Sequence, residues 1–377
     1  MTHKKILLLS VSAGAGHTRA AEAIRAYADS QHVRVSATHL DVMDFVPVGF
    51  RKLYTDFYLR LISRHPELWR HLYRCTDHAR ADSALQKLRR AVERQSTHRL
   101  NAAIAAADPD AIVCTHFLPA EILSRQVRSR RLRCPVWIQV TDFDLHGMWV
   151  HDHIAGYFAA SEQVAFRLRA QGIAPEQIHV TGIPIMPSFH EPLSRSECAQ
   201  EFGLDPNRPT VLLMGGGHGI GRLDAVAAHL LAQPADYQLI VLAGKNVASL
   251  AALQGFAAHH PGRLFAFGFT DRIARLMACA DLVVTKPGGL TSSECLAMGL
   301  PMIVNDPIPG QEERNADFLM QEGVAFKTLD SVALAYRIQY LLERPAKLAE
   351  MRSRAEKLAR PVAAGRVLET VLDHAYA

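Results

Sequence analysis

The sequence lacks paired cysteines and long apolar runs. Its six cysteines are scattered over 377 residues with no C-x-x-C pair, so the pattern indicates neither a structural zinc site nor a disulfide framework. No apolar stretch reaches the roughly 18 residues that a membrane-spanning helix needs. A hydrophobic content of 49% with mean hydropathy near zero is typical of a globular protein with sizeable cores. We therefore expect a protein of a reducing, cytoplasmic compartment.

Short apolar runs alternate with helical patterns along the whole chain, which is the βαβ rhythm of a parallel, doubly wound α/β sheet. This alternation of strands and helices is interrupted by a proline-rich segment between Pro184 and Pro192 and resumes at Thr210. These features predict two Rossmann-like domains over residues 1–187 and 188–340. The final helices, over residues 341–377, are expected to pack back towards the first domain.

Two glycine-rich loops each follow a strand-like run and precede a helix. The first contains Gly14, Gly16 and His17, and the second contains Gly215, Gly216 and Gly217. A strand-loop-helix unit directs backbone N–H groups and the positive end of a helix dipole at an anion. Two such loops predict two domains that face one cleft, with a charged nucleotide on one side and a second substrate on the other.

The densest motif follows the strand-like run Leu282–Thr285 in the second half of the chain. Gly288 and Gly289 allow a phosphate to approach the backbone, and Leu290 and Thr291 continue the turn. Glu294 lies about one turn into the next helix, where its carboxylate can accept two hydrogen bonds from ribose hydroxyls. The Thr291-x-x-Glu294 spacing also fits a capping box that needs no ligand. Spacing alone leaves both interpretations open.

Residues 51–100 carry twelve Arg and Lys against five Asp and Glu. Within them, aromatic and leucine side chains recur at helical spacing over residues 50–73. A basic amphipathic helix with aromatic residues is typical of an interfacial membrane anchor, although a helix packed on its own core would show the same periodicity. No nucleic-acid-binding motif accompanies the charge.

Taken together, the Gly14–His17 loop, the Gly215–Gly219 loop, the Gly288–Glu294 segment and the Gly310-Gln311-Glu312 segment resemble the family-28 glycosyltransferases. The resemblance extends over most of the chain and is strongest to the monogalactosyldiacylglycerol synthase and processive diacylglycerol glucosyltransferase branch. It implies the two-domain GT-B fold and transfer of a hexose from a UDP-sugar to 1,2-diacylglycerol. It also implies a peripheral position on the cytoplasmic, inner face of the cell membrane, reached through residues 50–73 and anionic lipid.

The resemblance implies a role for each matching residue on the donor side. Phe269 would flank the uracil, Glu294 would bind the ribose, and Gly288 to Thr291 would face the diphosphate. Gln311 and Glu312 would read the hexose hydroxyls, and the Gly215–Gly217 loop would form a second diphosphate cradle. His218 departs from the branch, which often has an acid there, so the sugar preference stays open between glucose and galactose.

His17 matches the histidine proposed as general base in the diacylglycerol branch. An imidazole that titrates near neutrality can take the proton of an attacking hydroxyl in a single inverting step. The alternative is that His17 caps a loop or binds a phosphate. The resemblance implies no metal and no cofactor, so backbone N–H groups and helix dipoles would stabilise the departing diphosphate.

A polar segment after another strand contains Asp142, Asp144 and Trp149. The Asp142-x-Asp144 spacing resembles the metal-diphosphate motif of a different glycosyltransferase fold, but it lies in the first domain, away from the expected nucleotide site. We therefore place Asp142 and Trp149 on the acceptor side, with Trp149 against lipid or headgroup. His116, which follows a neighbouring strand, is expected there too, unless it is purely structural.

Three other functions stay open at this point. Asp41 and Asp44 follow the second strand as a dinucleotide-binding acid would, but neither glycine loop completes G-x-G-x-x-G. A MurG-like transfer of N-acetylglucosamine to a polyprenyl-linked acceptor is a second alternative. A UDP-sugar-binding protein without catalytic activity is the third.

Overall fold

The computed structural model describes residues 3–12, 14–31, 35–46, 67, 70, 98–215 and 222–376. Our predictions for the basic segment 50–73, and for Gly216 and Gly217, lie outside these residues except at Glu67 and Arg70. The chain forms two compact units. Unit 1 comprises residues 1–187, 309–311 and 361–377, and unit 2 comprises residues 188–308 and 312–360.

Unit 1 is built on a six-stranded parallel sheet of order β2-β1-β3-β4-β5-β6. Its strands are β1 (Lys4–Ser10), β2 (Val35–Asp41), β3 (Ala111–Cys114), β4 (Val136–Gln139), β5 (Gly156–Ala159) and β6 (Ile178–Val180). Its first helices are α1 (Ala15–Gln31), α2 (Phe117–Arg128) and α3 (Glu162–Ala170), and residues 98–107 are also helical. The central strands are buried along their whole length, as expected of a parallel sheet covered on both faces.

Unit 2 has a second parallel sheet, of order β12-β11-β10-β7-β8-β9. Its strands are β7 (Thr210–Met214), β8 (Gln238–Leu242), β9 (Leu264–Phe267), β10 (Leu282–Thr285), β11 (Met302–Asn305) and β12 (Ala325–Thr328). Its helices are α4 (Arg195–Phe202), α5 (Leu223–Leu231), α6 (Val247–Ala257), α7 (Ile273–Ala278), α8 (Gly289–Ala297), α9 (Gln311–Gln321), α10 (Ser331–Leu342) and α11 (Pro345–Leu358).

The last helix, α12 (Ala363–Tyr376), belongs to unit 1. Val367, Leu368 and Val371 are buried in the same core as residues of β1 and α1. At Gly365 an added Cβ would lie 2.6 Å from Cζ of Tyr27 on α1, so only glycine allows the two helices to approach this closely. The segment 341–377 is thus divided, because α11 lies in unit 2 and α12 in unit 1.

Each sheet has one point at which the strand order reverses. In unit 1 the reversal lies between β1 and β3, and in unit 2 it lies between β7 and β10. Open α/β sheets bind ligands at such a point, beyond the carboxyl ends of the strands. The predicted α/β class with two doubly wound sheets is confirmed. None of the helices in the described part of the chain combines the length and apolar content required to cross a bilayer.

Candidate active site

His17 lies at the reversal point of unit 1, in the first turn of α1. Its Nδ1 atom is 2.9 Å from the main-chain carbonyl oxygen of Thr115, which directly follows β3. A carbonyl oxygen can only accept a hydrogen bond, so Nδ1 of the neutral ring carries the proton. The lone pair of the imidazole is therefore on Nε2. This is the tautomer in which Nε2 can take a proton from a substrate.

Two threonines fix the position of His17. The Oγ1 atom of Thr141, just after β4, lies 2.9 Å from Nδ1. The hydroxyl of Thr115 donates a hydrogen bond of 2.8 Å to the main-chain oxygen of His17. Both threonines are buried. Residues that follow the neighbouring strands β3 and β4 thus hold the imidazole, which is the kind of support that preorganises a catalytic group.

Burial also sets the charge of His17. Desolvation lowers its pKa from 6.5 to about 4, although the hydrogen bond to Thr115 acts in the opposite direction. The ring is therefore neutral at pH 7. The prediction that this imidazole titrates near neutrality is wrong for the chain without substrate, because the sequence did not show how much of the ring its neighbours cover.

Aromatic rings surround His17. The ring of His116 lies 4.5 Å from it, centroid to centroid, and that of Trp149 lies 6.1 Å away. Nδ1 of His116 accepts a hydrogen bond from the backbone N–H of Leu118, so this histidine caps α2. The structure therefore brings the predicted acceptor-side residues His116 and Trp149 to His17. Trp149 is only 2% exposed and packs edge-on against Phe117, so little of its ring is available in this structure for the expected contact with lipid or headgroup.

The two aspartates of the Asp142-x-Asp144 motif have separate partners. Asp142 accepts a hydrogen bond of 2.5 Å from Nε2 of Gln311, which belongs to unit 1. Asp144 forms an ion pair of 2.7 Å with Arg167 on α3. Among the residues that the structure describes, no group of three or more His, Cys, Asp or Glu side chains is arranged to hold a metal ion.

In unit 2, the predicted donor residues lie at the reversal point of the second sheet. Gly215 directly follows β7, and Gly288 lies just beyond the adjacent strand β10. Helix α8 begins at Gly289 with Gly288 as its N-cap and has no side-chain cap. Thr291 is therefore the third residue of the helix, and the capping-box interpretation of Thr291 and Glu294 is wrong.

Helix α8 carries further polar groups beside Leu290 in its first turns. The hydroxyl of Ser293 donates to the main-chain oxygen of Gly289. The Oγ atom of Ser292 is fully buried and has no hydrogen-bond partner among the described residues. Glu294 is partly exposed, so its side chain is accessible to a ligand.

Glu312, the second residue of α9, lies near this turn. Oε2 of Glu312 accepts a hydrogen bond of 2.6 Å from the N–H of Ile308, and its Oε1 lies 4.0 Å from the position of a Cβ on Gly288. The two residues of the predicted sugar-reading pair thus have different hydrogen-bond partners in this structure. Gln311 contacts Asp142 in unit 1, and Glu312 lies beside the diphosphate-facing turn of unit 2.

Phe269 follows β9 at the same carboxyl edge of the unit 2 sheet and is 64% exposed. Lys245, which follows β8, places its Nζ atom 5.2 Å from the centre of the Phe269 ring. An exposed aromatic ring beside a cation can stack on a base while the ammonium attracts phosphate. Lys245, Thr115 and Thr141 were not predicted as site residues from the sequence. All three share one signal, since each lies within three residues of a strand's carboxyl end.

Comparison with known proteins identifies the family of this chain. The monogalactosyldiacylglycerol (MGDG) synthase family matches residues 17–185, and the glycosyltransferase family 28 C-terminal domain matches residues 210–367. The processive diacylglycerol beta-glucosyltransferase of Bacillus pumilus is 30% identical over 99% of this chain and 95% of its own length. The protein of the same name from Bacillus licheniformis is 29% identical over 95% of this chain and 91% of its own.

A solved structure shows the same fold. The MurG crystal structure from Acinetobacter baumannii superposes with a TM-score of 0.63 at 17% identity, covering 98% of this chain and 99% of that one. This likeness confirms the predicted GT-B fold. The matches along the whole chain identify the family as well: this protein belongs to the family-28 glycosyltransferases, in the monogalactosyldiacylglycerol synthase and processive diacylglycerol glucosyltransferase branch.

Proposed function

We propose that this protein transfers a hexose from a UDP-sugar to 1,2-diacylglycerol with inversion at the anomeric carbon. The observation that carries the proposal is the held, neutral imidazole of His17 in a chain whose relatives are diacylglycerol glucosyltransferases. Because those relatives are named for glucose, UDP-glucose is the first donor to test. UDP-galactose is the alternative, since the two sugars differ in one hydroxyl group.

The acceptor hydroxyl donates its proton to Nε2 of His17 as its oxygen attacks the anomeric carbon. The bond between that carbon and the β-phosphate oxygen breaks, and UDP leaves with the electron pair. The resulting imidazolium keeps its Nδ1–H bond to the Thr115 carbonyl, which stabilises the positive charge. A nearby diphosphate would also raise the pKa of His17 from its low value in the free protein.

The leaving diphosphate is assigned to the edge of unit 2 near Gly215, Gly288 and Gly289. The N-terminus of α8 supplies N–H groups and a positive dipole end there. We propose that these groups stabilise the developing charge without a metal or cofactor. Gly216 and Gly217 are assigned to the diphosphate as well, as the sequence predicts.

The nucleoside is assigned to residues at the same edge of unit 2, and the hexose to the neighbouring residues Gln311 and Glu312. Phe269 would flank the uracil, with Lys245 beside it. Glu294 would accept hydrogen bonds from the ribose hydroxyls. Glu312 would read the hexose from beside Gly288, and Gln311 would do so with its amide held by Asp142.

The acceptor is a membrane lipid, so the enzyme needs access to a lipid surface. We propose that residues 50–73 bind the inner face of the cell membrane through their aromatic side chains and their attraction to anionic lipid. Liposome flotation with and without anionic lipid tests this step. Equal recovery from both kinds of vesicle would contradict it.

The function is tested with purified full-length protein, diacylglycerol in mixed micelles, and UDP-glucose, UDP-galactose or UDP-N-acetylglucosamine. Mass spectrometry and enzymatic sugar analysis would identify a monohexosyl diacylglycerol with one donor preferred. Transfer only to a polyprenyl-linked acceptor would support the MurG-like alternative. Binding of UDP-sugar without any product would indicate a protein that has lost catalysis.

A further inference from the structure

Lys286 is a largely buried lysine that the mechanism above does not use. It directly follows β10, the strand that borders the reversal point of the unit 2 sheet, and lies two residues before Gly288. Only 15% of its side chain is exposed. The lysine therefore lies in the part of unit 2 to which the diphosphate of the donor is assigned.

The ammonium of Lys286 has weak support from the protein. Among the described residues, its single ion-pair partner is Asp306, whose Oδ2 atom lies 3.5 Å from Nζ, and none of them accepts a hydrogen bond from it. Lys4 is similarly buried, at 14% exposure, but donates a hydrogen bond of 3.2 Å to Asp110. An ammonium withdrawn from water costs free energy unless its N–H groups find acceptors. Lys286 can therefore take a further anionic partner.

Asp306 is a partner that a ligand can replace. It directly follows β11, which pairs with β10, and its side chain is 74% exposed. Water therefore solvates the carboxylate well, and an ion pair with such an exposed group contributes little to stability. Exchange of this carboxylate for a better-placed anion costs the protein little.

The charge around the first turn of α8 also calls for a cation. Between Arg275 and Arg314 the sequence has five Asp and Glu residues, and Lys286 is the one basic residue. One of those acids, Glu312, has its Oε1 atom 4.0 Å from the position of a Cβ on Gly288. The N-terminus of α8 offers only about half a positive charge, whereas a diphosphate carries a negative charge on each phosphate group. An anion of that kind needs the ammonium as well.

We propose that Lys286 binds the diphosphate of the UDP-sugar and that Asp306 holds its ammonium while no nucleotide is bound. On binding, Nζ exchanges the exposed carboxylate for phosphate oxygens and forms charge-assisted hydrogen bonds with them. Lysine is suited to this exchange because its ammonium is a compact charge on a flexible stem. The inference rests on the proposed function, whose diphosphate contacts otherwise consist of backbone N–H groups and a helix dipole.

The test compares the affinities of the full-length protein for UDP and for uridine, which lacks the diphosphate, by titration calorimetry. Lys286→Met removes the charge and keeps most of the length of the side chain. Asp306→Asn removes the competing carboxylate, and asparagine tolerates the left-handed backbone of this residue, whose φ is 50°. Lys357→Met is the matched control, because Lys357 is an exposed lysine on α11 of the same unit. Each variant is first checked for an unchanged melting temperature.

We expect Lys286→Met to weaken UDP binding by about 10- to 100-fold and to leave uridine binding within about twofold of the wild type. Asp306→Asn should bind UDP about two- to fivefold more tightly, because the ammonium no longer has to leave a carboxylate. Its affinity for uridine should stay the same. Lys357→Met should bind both ligands like the wild type.

Equal losses of UDP and uridine affinity in Lys286→Met, or no loss of either, would overturn the proposal. A wild type that binds UDP no more tightly than uridine would overturn it as well, because no diphosphate contact would then exist. If Lys286→Met does not fold, Asp306→Asn decides the question. A UDP affinity of Asp306→Asn at or below the wild-type level would then overturn the proposal.

These measurements need no acceptor, so they separate this proposal from the proposed function. A protein that binds UDP through Lys286 but transfers no hexose would refute the proposed function and leave the assignment of Lys286 in place. A protein that transfers hexose, with a Lys286→Met variant of wild-type UDP affinity, would do the reverse.

Discussion

Nδ1 of His17 donates its hydrogen bond to the main-chain oxygen of Thr115 over 2.9 Å, and this leaves Nε2 as the basic atom of the ring. No substitution of the Thr115 side chain removes that carbonyl oxygen. The tautomer of His17 is therefore set by the backbone at the carboxyl end of β3. Substitutions of neighbouring side chains leave this tautomer in place, so they test the function of Nε2 itself.

Replacement of His17 by Ala should reduce kcat by about 10²- to 10⁴-fold, because the attacking hydroxyl loses its proton acceptor. The affinity for UDP, measured by calorimetry, should change little, since the nucleotide site is assigned to unit 2. His259→Ala is the control, as His259 is an exposed histidine of unit 2. A His17→Ala variant with unchanged turnover would remove His17 from the mechanism.

The pH profile of kcat/KM should have its acid limb near pH 4, and not near 6.5, because this quantity reports the free enzyme and burial lowers the pKa of His17 to about 4. Below that pH the rate should fall about tenfold per unit. An acid limb that stays in place in His17→Gln, measured on residual activity, would belong to another group.

Stability should decrease as the pH falls from about 6.5 to about 4. In that range the unfolded chain protonates His17 while the folded protein keeps it neutral, so protons favour unfolding. Denaturant unfolding at several pH values should show a smaller decrease for His17→Gln than for the wild type. His259→Gln should decrease like the wild type.

Replacement of Thr141 by Val removes the hydroxyl that lies 2.9 Å from Nδ1 of His17. One neutral hydrogen bond is worth about 1 kcal/mol, so kcat should fall about fivefold while KM for the UDP-sugar stays the same. Thr141→Ser restores the hydroxyl and should recover the rate. Failure of Ser to rescue would point to loss of packing and not of orientation.

Replacement of Glu294 by Ala should weaken UDP binding by about 2 kcal/mol, roughly 30-fold in Kd, because the ribose hydroxyls lose a charged acceptor. The substitution removes no capping box, since Gly288 and not Thr291 is the N-cap of α8. Titration calorimetry and thermal unfolding check the two parts separately. Glu322→Ala, an exposed acid after α9, is the control. A lower melting temperature with unchanged UDP affinity would show that Glu294 stabilises the fold and does not bind the ribose.

Gly156 provides a test of packing within the unit 1 sheet. A Cβ at this position would lie 2.5 Å from Cζ3 of Trp137 and 2.9 Å from the main-chain oxygen of Gln177. Gly156→Ala should therefore cost about 1–3 kcal/mol in the free energy of unfolding. Gly255→Ala, in α6 with nothing within 4 Å of the new Cβ, should stabilise by about 0.5 kcal/mol. Chemical denaturation measures the free energy of unfolding of both variants, which should change in opposite directions.

The fold followed from the sequence because a parallel sheet leaves a strong pattern. Buried strands such as β3 and β10 read as continuous apolar runs bounded by polar loops, and the helices between them show a different period. The glycine loops lie where open α/β sheets commonly bind ligands, since Gly14 and Gly215 follow the first strand of each sheet, next to its reversal point.

Parts of the site could not be predicted because they depend on contacts distant in the sequence. The pKa of His17 reflects the burial of its ring, and its tautomer reflects a carbonyl 98 residues away. The start of α8 was ambiguous for a local reason. The Thr291-x-x-Glu294 spacing fits a helix start, but the extended backbone at Gly288 places the N-cap three residues earlier.

Helix α12 has a consequence for how the chain folds as it is made. Its residues Val367, Leu368 and Val371 complete the core of unit 1, whose first strand begins at Lys4. During translation, unit 1 exposes the apolar groove beside α1 until the residues beyond Arg360 have left the ribosome. Unit 2 is complete at Arg360, before α12 has been made, so unit 1 is the later of the two units to have its whole core available.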